Sequence, residues 1–206
     1  MPASMPWWMA IVGAFIAIVI IKQLFGGLGF NFANPAIVGR IALAVGFASR
    51  MANYPKPANG IDALASATPL AVEKGVLGAG EYVTLLLGNH GGVLGETCAI
   101  TILIGGIYLI ATKVISPMIP VTYLATVAVL SLIGGYDPTV QLLSGGLMLG
   151  AFFMATDYVT SPTTDKGKLI AGIFMGVVTC AIRFFGTMSE GVSFAILLMN
   201  LVTPYI

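Results

Sequence analysis

Seven stretches of this chain are apolar over about the length a helix needs to cross a bilayer: residues 7–25, 35–52, 93–114, 119–134, 139–158, 168–185 and 190–206. A helix rises about 1.5 Å per residue and the hydrocarbon core is about 30 Å thick, so about 20 apolar residues make one crossing. The second stretch is the weakest, because Arg40 lies within it. Composition agrees with lipid as the solvent. Of 206 residues, 58% are hydrophobic and 8% charged, whereas a soluble domain carries about a quarter charged residues. Nine basic and eight acidic side chains cannot cover a water-exposed surface. The expected fold is an all-α polytopic membrane protein of six or seven transmembrane helices, forming one membrane domain over residues 1–206. A net charge of +1 without a basic stripe offers nothing to nucleic acid. Trp7 and Trp8 stand at the mouth of the first stretch, where interfacial aromatics belong. That stretch has no basic segment before it and no small-residue cleavage site, so it is not read as a signal peptide.

Local signals mark where helices begin. Asn34-Pro35, Asp137-Pro138 and Ser161-Pro162 each put a capping side chain before a proline suited to the first helical position. Ser189-Glu190 is expected to cap the last span, with the acid at the positive end of the helix dipole. Between the second and third spans, residues 53–90 form a long extramembrane loop with three prolines, five charged residues and a turn at Ala58-Asn59-Gly60. Its apolar pieces, Ile61 to Leu70 and Tyr82 to Leu87, point to a flap folded on the membrane. A weak repeat is also visible. Gly26-Gly27-Leu28-Gly29, then Asn34-Pro35, then Gly39-Arg40 is echoed by Gly145-Gly146-Leu147, then Ser161-Pro162, then Gly167-Lys168. Glycine- and proline-interrupted segments in corresponding halves point to an inverted repeat whose broken helices meet at a central site. Glycine also lets membrane helices approach closely.

Ionisable groups at membrane depth cost about 2.5–3.5 kcal/mol each on insertion scales, so each needs a reason. Arg183 and Lys22, near span ends, are expected to snorkel to the interface. Glu96 falls in the first turn of the third span, where a helix dipole favours an acid. Asp157, followed by Thr160 and Ser161 in an interrupted segment, is the better candidate for contact with an ion or cofactor. Hydroxyl and carboxylate oxygens suit a hard cation such as Na⁺. The single histidine, His90, has no nucleophile or metal-ligand pattern beside it. Cys98 and Cys180 lie in apolar runs without a C-x-x-C spacing and read as small buried hydrophobes. No residue constellation for ordinary catalysis is present, so redox work would require a bound cofactor. Positive charge places Lys22, Lys113, Lys166 and Lys168 on one side and Arg50, Lys56, Lys74 and Arg183 on the other. The short loops favour the lysine side as the inner face, which puts the long loop outside.

Asp62-Ala63-Leu64-Ala65-Ser66-Ala67-Thr68-Pro69-Leu70 resembles the flavin-attachment motif of the RnfD and NqrB family. There, an aspartate stands six positions before a threonine that carries FMN through a phosphoester. GGLGFNFANPAIVGR at 26–40, GGVLGETCAITILIGGIYLIATKVI at 91–115, GGLMLGAFFMATDYVTSPTTDKGKLI at 145–170 and IRFFGTMSEGVSFAILLMNLVTPYI at 182–206 are similar to RnfD in the same order. The resemblance covers essentially the whole chain. It implies a membrane subunit of a prokaryotic inner-membrane complex that moves electrons between ferredoxin and NAD while transporting Na⁺ or H⁺. It also implies covalent FMN on Thr68, with Asp62, Ser66 and Ala67 around the attachment point, and a separate flavin transferase that makes the bond. A second, non-covalent flavin is within the expectation. Asn34 and Arg40 then become candidates for contacting flavin or its phosphate, since a helix start after Asn34 favours an anion. Asp157, Glu96, Thr160 and Ser161 become the ion-coupling candidates. Two departures stand out. Ala65 and Ser66 replace the residues usual at those motif positions, and the family starts further upstream, so Met1 reads as an interior start. The alternatives are a subunit of the B type from a Na⁺-translocating NADH:quinone reductase, or a broken-helix transporter without redox chemistry. The Thr68 motif argues against a plain transporter, which has no use for it.

Overall fold

The computed structural model of the chain describes residues 2, 4–27, 29–51, 79–88, 98–186 and 191–206. All regular structure among them is helical. Helix α1 (Trp7–Phe15) runs on into a π-helical stretch, Ile16–Gln23, and is followed by α2 (Pro35–Gly46) and a short α3 (Ala48–Met51). Next come α4 (Ala79–Leu87), α5 (Ala99–Ala111), α6 (Met118–Gly134), α7 (Pro138–Leu143), α8 (Leu147–Leu149), α9 (Asp165–Phe185) and α10 (Val192–Val202). Among the described residues one helix, α9 with 21 residues, is by itself long and apolar enough to cross a membrane, and five shorter apolar helices accompany it.

The core is built around α6 and α9. Gly172 and Gly176 stand four apart on α9, facing Thr122 and Thr126 of α6. A Cβ on Gly172 would lie 1.8 Å from the Thr122 hydroxyl oxygen, and one on Gly176 would lie 2.6 Å from the Thr126 Cβ. The threonine hydroxyls turn back onto their own helix, Thr122 donating to the Met118 carbonyl at 2.6 Å and Thr126 to that of Thr122 at 2.7 Å. Their polarity is thereby satisfied without widening the gap. Small residues that admit a neighbouring backbone are how helices associate where lipid offers no hydrophobic drive. One polar bond crosses this interface, between the buried Tyr123 hydroxyl and Thr179 at 2.6 Å. Ile119, Val127, Ala171 and Met175 fill the rest, and α10 adds Ala195, Ile196 and Met199. A second close approach holds α2 to α1, where a Cβ on Gly39 would meet the Gly13 carbonyl oxygen at 2.8 Å.

The stretch expected to cross as one helix, residues 139–158, is broken. α7 ends at Leu143, Gly145 and Gly146 both take φ of +68°, and the chain resumes as α8 and a π-helical turn, Gly150–Met154. Left-handed φ at two successive residues is cheap only for glycine, so Gly145-Gly146 both permits and places the break. Two expected caps hold: the Asn34 side chain accepts from the Ala36 and Ile37 amides, and that of Asp137 from the Thr139 amide. The third does not. α9 begins at Asp165, and the Thr164 hydroxyl accepts from the Gly167 amide at 3.0 Å, leaving Ser161-Pro162 in the preceding loop. The last helix starts at Val192 after Gly191; Ser189 and Glu190 lie outside the described residues.

The helix ends gather at two levels. At one, Tyr82 of α4 donates to the Asp137 carboxylate, and Tyr136 stacks on Phe184 with centroids 4.3 Å apart. Burial pushes the Asp137 carboxyl up, but the Tyr82 hydroxyl and the Thr139 and Val140 amides outweigh it and hold the group below its ordinary value. Met9, Leu43 and Met51 form a small apolar cluster with Phe47 packed against it. At the other level the start of α2 meets the end of α10 and the loop before α9, tied by the bonds described next.

A junction of helix ends as the candidate functional site

Asn200 of α10 links the start of α2 to the distant loop that precedes α9. With its amide oriented to satisfy both ends, its oxygen accepts from the Asn34 backbone N–H at 3.0 Å. Its nitrogen donates to the Thr160 hydroxyl at 3.3 Å and to the Ile196 carbonyl at 3.2 Å. The Thr160 hydroxyl in turn donates to Asp157 Oδ2 at 3.0 Å. One turn beyond Asn200, the Thr203 hydroxyl reaches both the Thr160 carbonyl at 3.0 Å and the Met199 carbonyl at 2.8 Å. Asn200 and Thr160 are each 5% exposed, so these bonds are made out of water, where an unmet polar group is costly. Asp157 is half-buried beside them, and its carbonyl accepts from the Ser161 amide at 3.1 Å.

A cavity of about 420 Å³ opens on this network, lined by Asn31, Thr160, Ser161, Thr164, Asn200 and Thr203 among others, with Phe32 as its aromatic wall. A smaller one of about 230 Å³ lies across the Ser161–Thr163 loop, with Ser116, Thr156, Tyr158 and Lys168 in its lining. Ser161, Pro162 and Thr163 line both. The larger volume falls within the range of small-molecule sites. Its polar lining is hydroxyl and amide, with the Asp157 carboxylate one hydrogen bond behind it. That donor set suits a hard cation or a neutral, hydrogen-bonding ring system. It does not suit a soft metal.

The expected residues are only partly united. Asn34, Asp157, Thr160 and Ser161 meet at the junction. Arg40 sits half-buried a turn and a half along α2 and is absent from the cavity lining. Asp62, Ser66, Ala67, Thr68, Glu96 and His90 lie outside the described residues, as does most of the loop 53–90. The sequence reading missed Asn31, Asn200 and Thr203. Asn200 and Thr203 are three apart in an otherwise apolar run, hence on one face of the helix, and that spacing was the available signal. Arg183 corrects an expectation. Its guanidinium turns inward to the break after α7, where Nη1 donates to the Gln141 carbonyl at 2.6 Å and to Gln141 Oε1 at 3.1 Å. The oxygens of the break, Ser144 and Gly145 carbonyls included, thus take donors that a snorkelling side chain would turn to water.

The family model described as the NQR2, RnfD, RnfE family matches residues 1–206. The D subunit of the Na(+)-translocating ferredoxin:NAD(+) oxidoreductase complex of Acetobacterium woodii is 46% identical over 215 residues, covering all of this chain and 66% of that protein. The D subunit of the proton-translocating ferredoxin:NAD(+) oxidoreductase complex of Clostridium ljungdahlii is 43% identical, covering all of this chain and 68% of that protein. The D subunit of an ion-translocating oxidoreductase complex from Alcanivorax borkumensis is 36% identical, with 100% and 69% covered. The chain therefore spans about two thirds of the length of these relatives. With one family model covering every residue, the chain belongs to the NQR2, RnfD, RnfE family.

Proposed function

We propose that this chain is the RnfD-type membrane subunit of an ion-translocating ferredoxin:NAD⁺ oxidoreductase complex, working with the other Rnf subunits in a prokaryotic inner membrane. The observation that carries this reading is the similarity, along every residue of this chain, to D subunits whose names state that activity. Six or seven spans in one domain, with broken helices from two related halves, fit the apolar runs and the junction at Asn200. FMN, bonded through its phosphate to the Thr68 hydroxyl by a separate flavin transferase, supplies one-electron chemistry that no side chain here offers. Asp62, Ser66 and Ala67 frame that attachment point. A second flavin, held without a covalent bond, is assigned to the polar cavity beside Asn31 and Phe32.

The chain's own contribution is ion binding and position. Asp157 supplies the negative charge for a bound Na⁺ or a proton, Thr160 and Ser161 supply oxygens, and Asn200 holds Thr160 in register. Glu96 is the next candidate for the same task. An acid held half-buried among neutral oxygens offers a cation both charge and ligands. The lysines at the junction level face the inner side, which puts the Thr68 loop outside.

Two measurements test these assignments. On a denaturing gel, protein made together with a flavin transferase should fluoresce under ultraviolet light, and Thr68→Val should abolish the band. Fluorescence that survives the substitution moves the attachment elsewhere. A cysteine placed at Asn59, with Cys98 and Cys180 replaced, should react with an impermeant maleimide in intact cells. Labelling only after the membrane is opened reverses the orientation.

A further inference from the structure

The break after α7 is lined by oxygens that the helix no longer uses. Gln141, Ser144 and Gly145 turn their carbonyls toward Arg183, and Gln141 adds its side-chain oxygen. Nη1 takes both Gln141 oxygens at 2.6 and 3.1 Å; Nη2 takes the Ser144 carbonyl at 3.1 Å and that of Gly145 at 3.5 Å. All four oxygens are formally neutral. Gln141 is buried, Ser144 is 1% exposed, and the Ser144 hydroxyl oxygen is buried without a hydrogen-bond partner. A set of three main-chain carbonyls and an amide oxygen, with a hydroxyl at hand, is the donor chemistry that binds hard monovalent cations.

We propose that this break is a monovalent-cation site built into the fold, occupied from within the chain by the Arg183 guanidinium. Three features carry the inference. The oxygens converge on one charged group rather than pairing with amides, as helix-end carbonyls usually do. Arginine stays protonated under any burial, so the site is filled at every pH at which the protein exists. The glycines at φ +68° open the break, but nothing in them recognises charge; the oxygens do. The site is separate from the junction at Asp157 and does not rest on its proposed role. Arg183 holds the frame from which α8 and the π-helical turn run on toward that junction, which makes it a positioning residue.

The test is removal of the built-in cation and replacement by a free one. The full chain, with the partners it retains, is placed in nanodiscs and unfolded thermally in choline, sodium or guanidinium chloride at equal, low ionic strength. Arg183→Ala should unfold below the parent in choline. Guanidinium, and more weakly Na⁺, should then raise its midpoint by about 3–6 °C more than they raise that of the parent, as ligand binding to an emptied site requires. A response equal to the parent's, Na⁺ binding at Asp157 included, overturns the proposal. Should Arg183→Ala yield no folded protein, Arg183→Lys and Arg183→Gln decide the matter. A site for charge keeps the lysine variant nearer the parent, and a glutamine variant as stable as the lysine variant overturns it.

Discussion

The α6–α9 pair and the segment from Pro138 to Thr164 lie side by side, yet they use glycine for opposite ends. In α9, Gly172 and Gly176 keep ordinary helical backbone and remove side-chain volume, so that two unbroken helices touch through Thr122 and Thr126. In the broken segment, Gly145 and Gly146 take left-handed φ and interrupt a helix, and the oxygens thereby released are claimed by Arg183. The first use makes a frame and the second makes a place for polar groups. Membrane proteins tolerate non-helical backbone where protein or a cavity satisfies it, and here both conditions are met beside a helix pair tight enough to hold them.

Filling the tight contact should have the largest effect. Gly172→Leu drives a side chain into Thr122 and should cost about 3 kcal/mol, at the upper end for overpacked cores, read as a fall in the thermal midpoint in detergent. A midpoint unchanged from the parent would show that α6 and α9 are free to part, and would erase the contrast with the broken segment. Cutting the polar tie comes next. Asn200→Leu leaves the Asn34 amide without its acceptor and Thr160 without its donor, and should cost about 1–3 kcal/mol. Hydrogen exchange at the α2 start should rise in that variant while the α6–α9 core stays protected. Uniform exchange across both regions would mean that they open as one unit.

The smallest stability effect should come from Asp157→Asn, within about 1 kcal/mol, since an amide oxygen can still accept from Thr160. Its consequence should instead appear in function. In vesicles, ferredoxin-driven NAD reduction and ion uptake should weaken while flavin and assembly persist. Turnover and uptake equal to the parent's would make Asp157 a packing residue and turn attention to Glu96.

Signals confined to a few neighbouring residues could be read in advance, whereas those needing two distant segments could not. Asn34-Pro35 and Asp137-Pro138 announced their caps because a capping bond spans two or three residues. Ser161-Pro162 carried the same local pattern and still failed, because Thr164 offered a cap nearer the apolar face that α9 buries against α6. The glycine pair at 145–146 was visible as an interruption, though the run around it still read as one span by hydropathy alone. The spacing of Asn200 and Thr203 marks a polar face but not its partners: an amide in an apolar helix acquires its role only when Asn34 and Thr160 arrive on either side. Arg183 was misread for the same reason, since the carbonyls it serves belong to another helix.

Asn34 and Asn200 stand far apart in the sequence, and this bears on biosynthesis. As the chain is threaded into the membrane, α2 enters early with an amide whose acceptor has not yet left the ribosome. Thr160 follows much later, and still finds no asparagine to meet. Only insertion of α10 closes the tie, so the junction is completed well after its first member is placed. A chain halted before α10 would keep its α6–α9 frame and lack a finished junction. The junction thus records whether α10 has joined the segments that precede it.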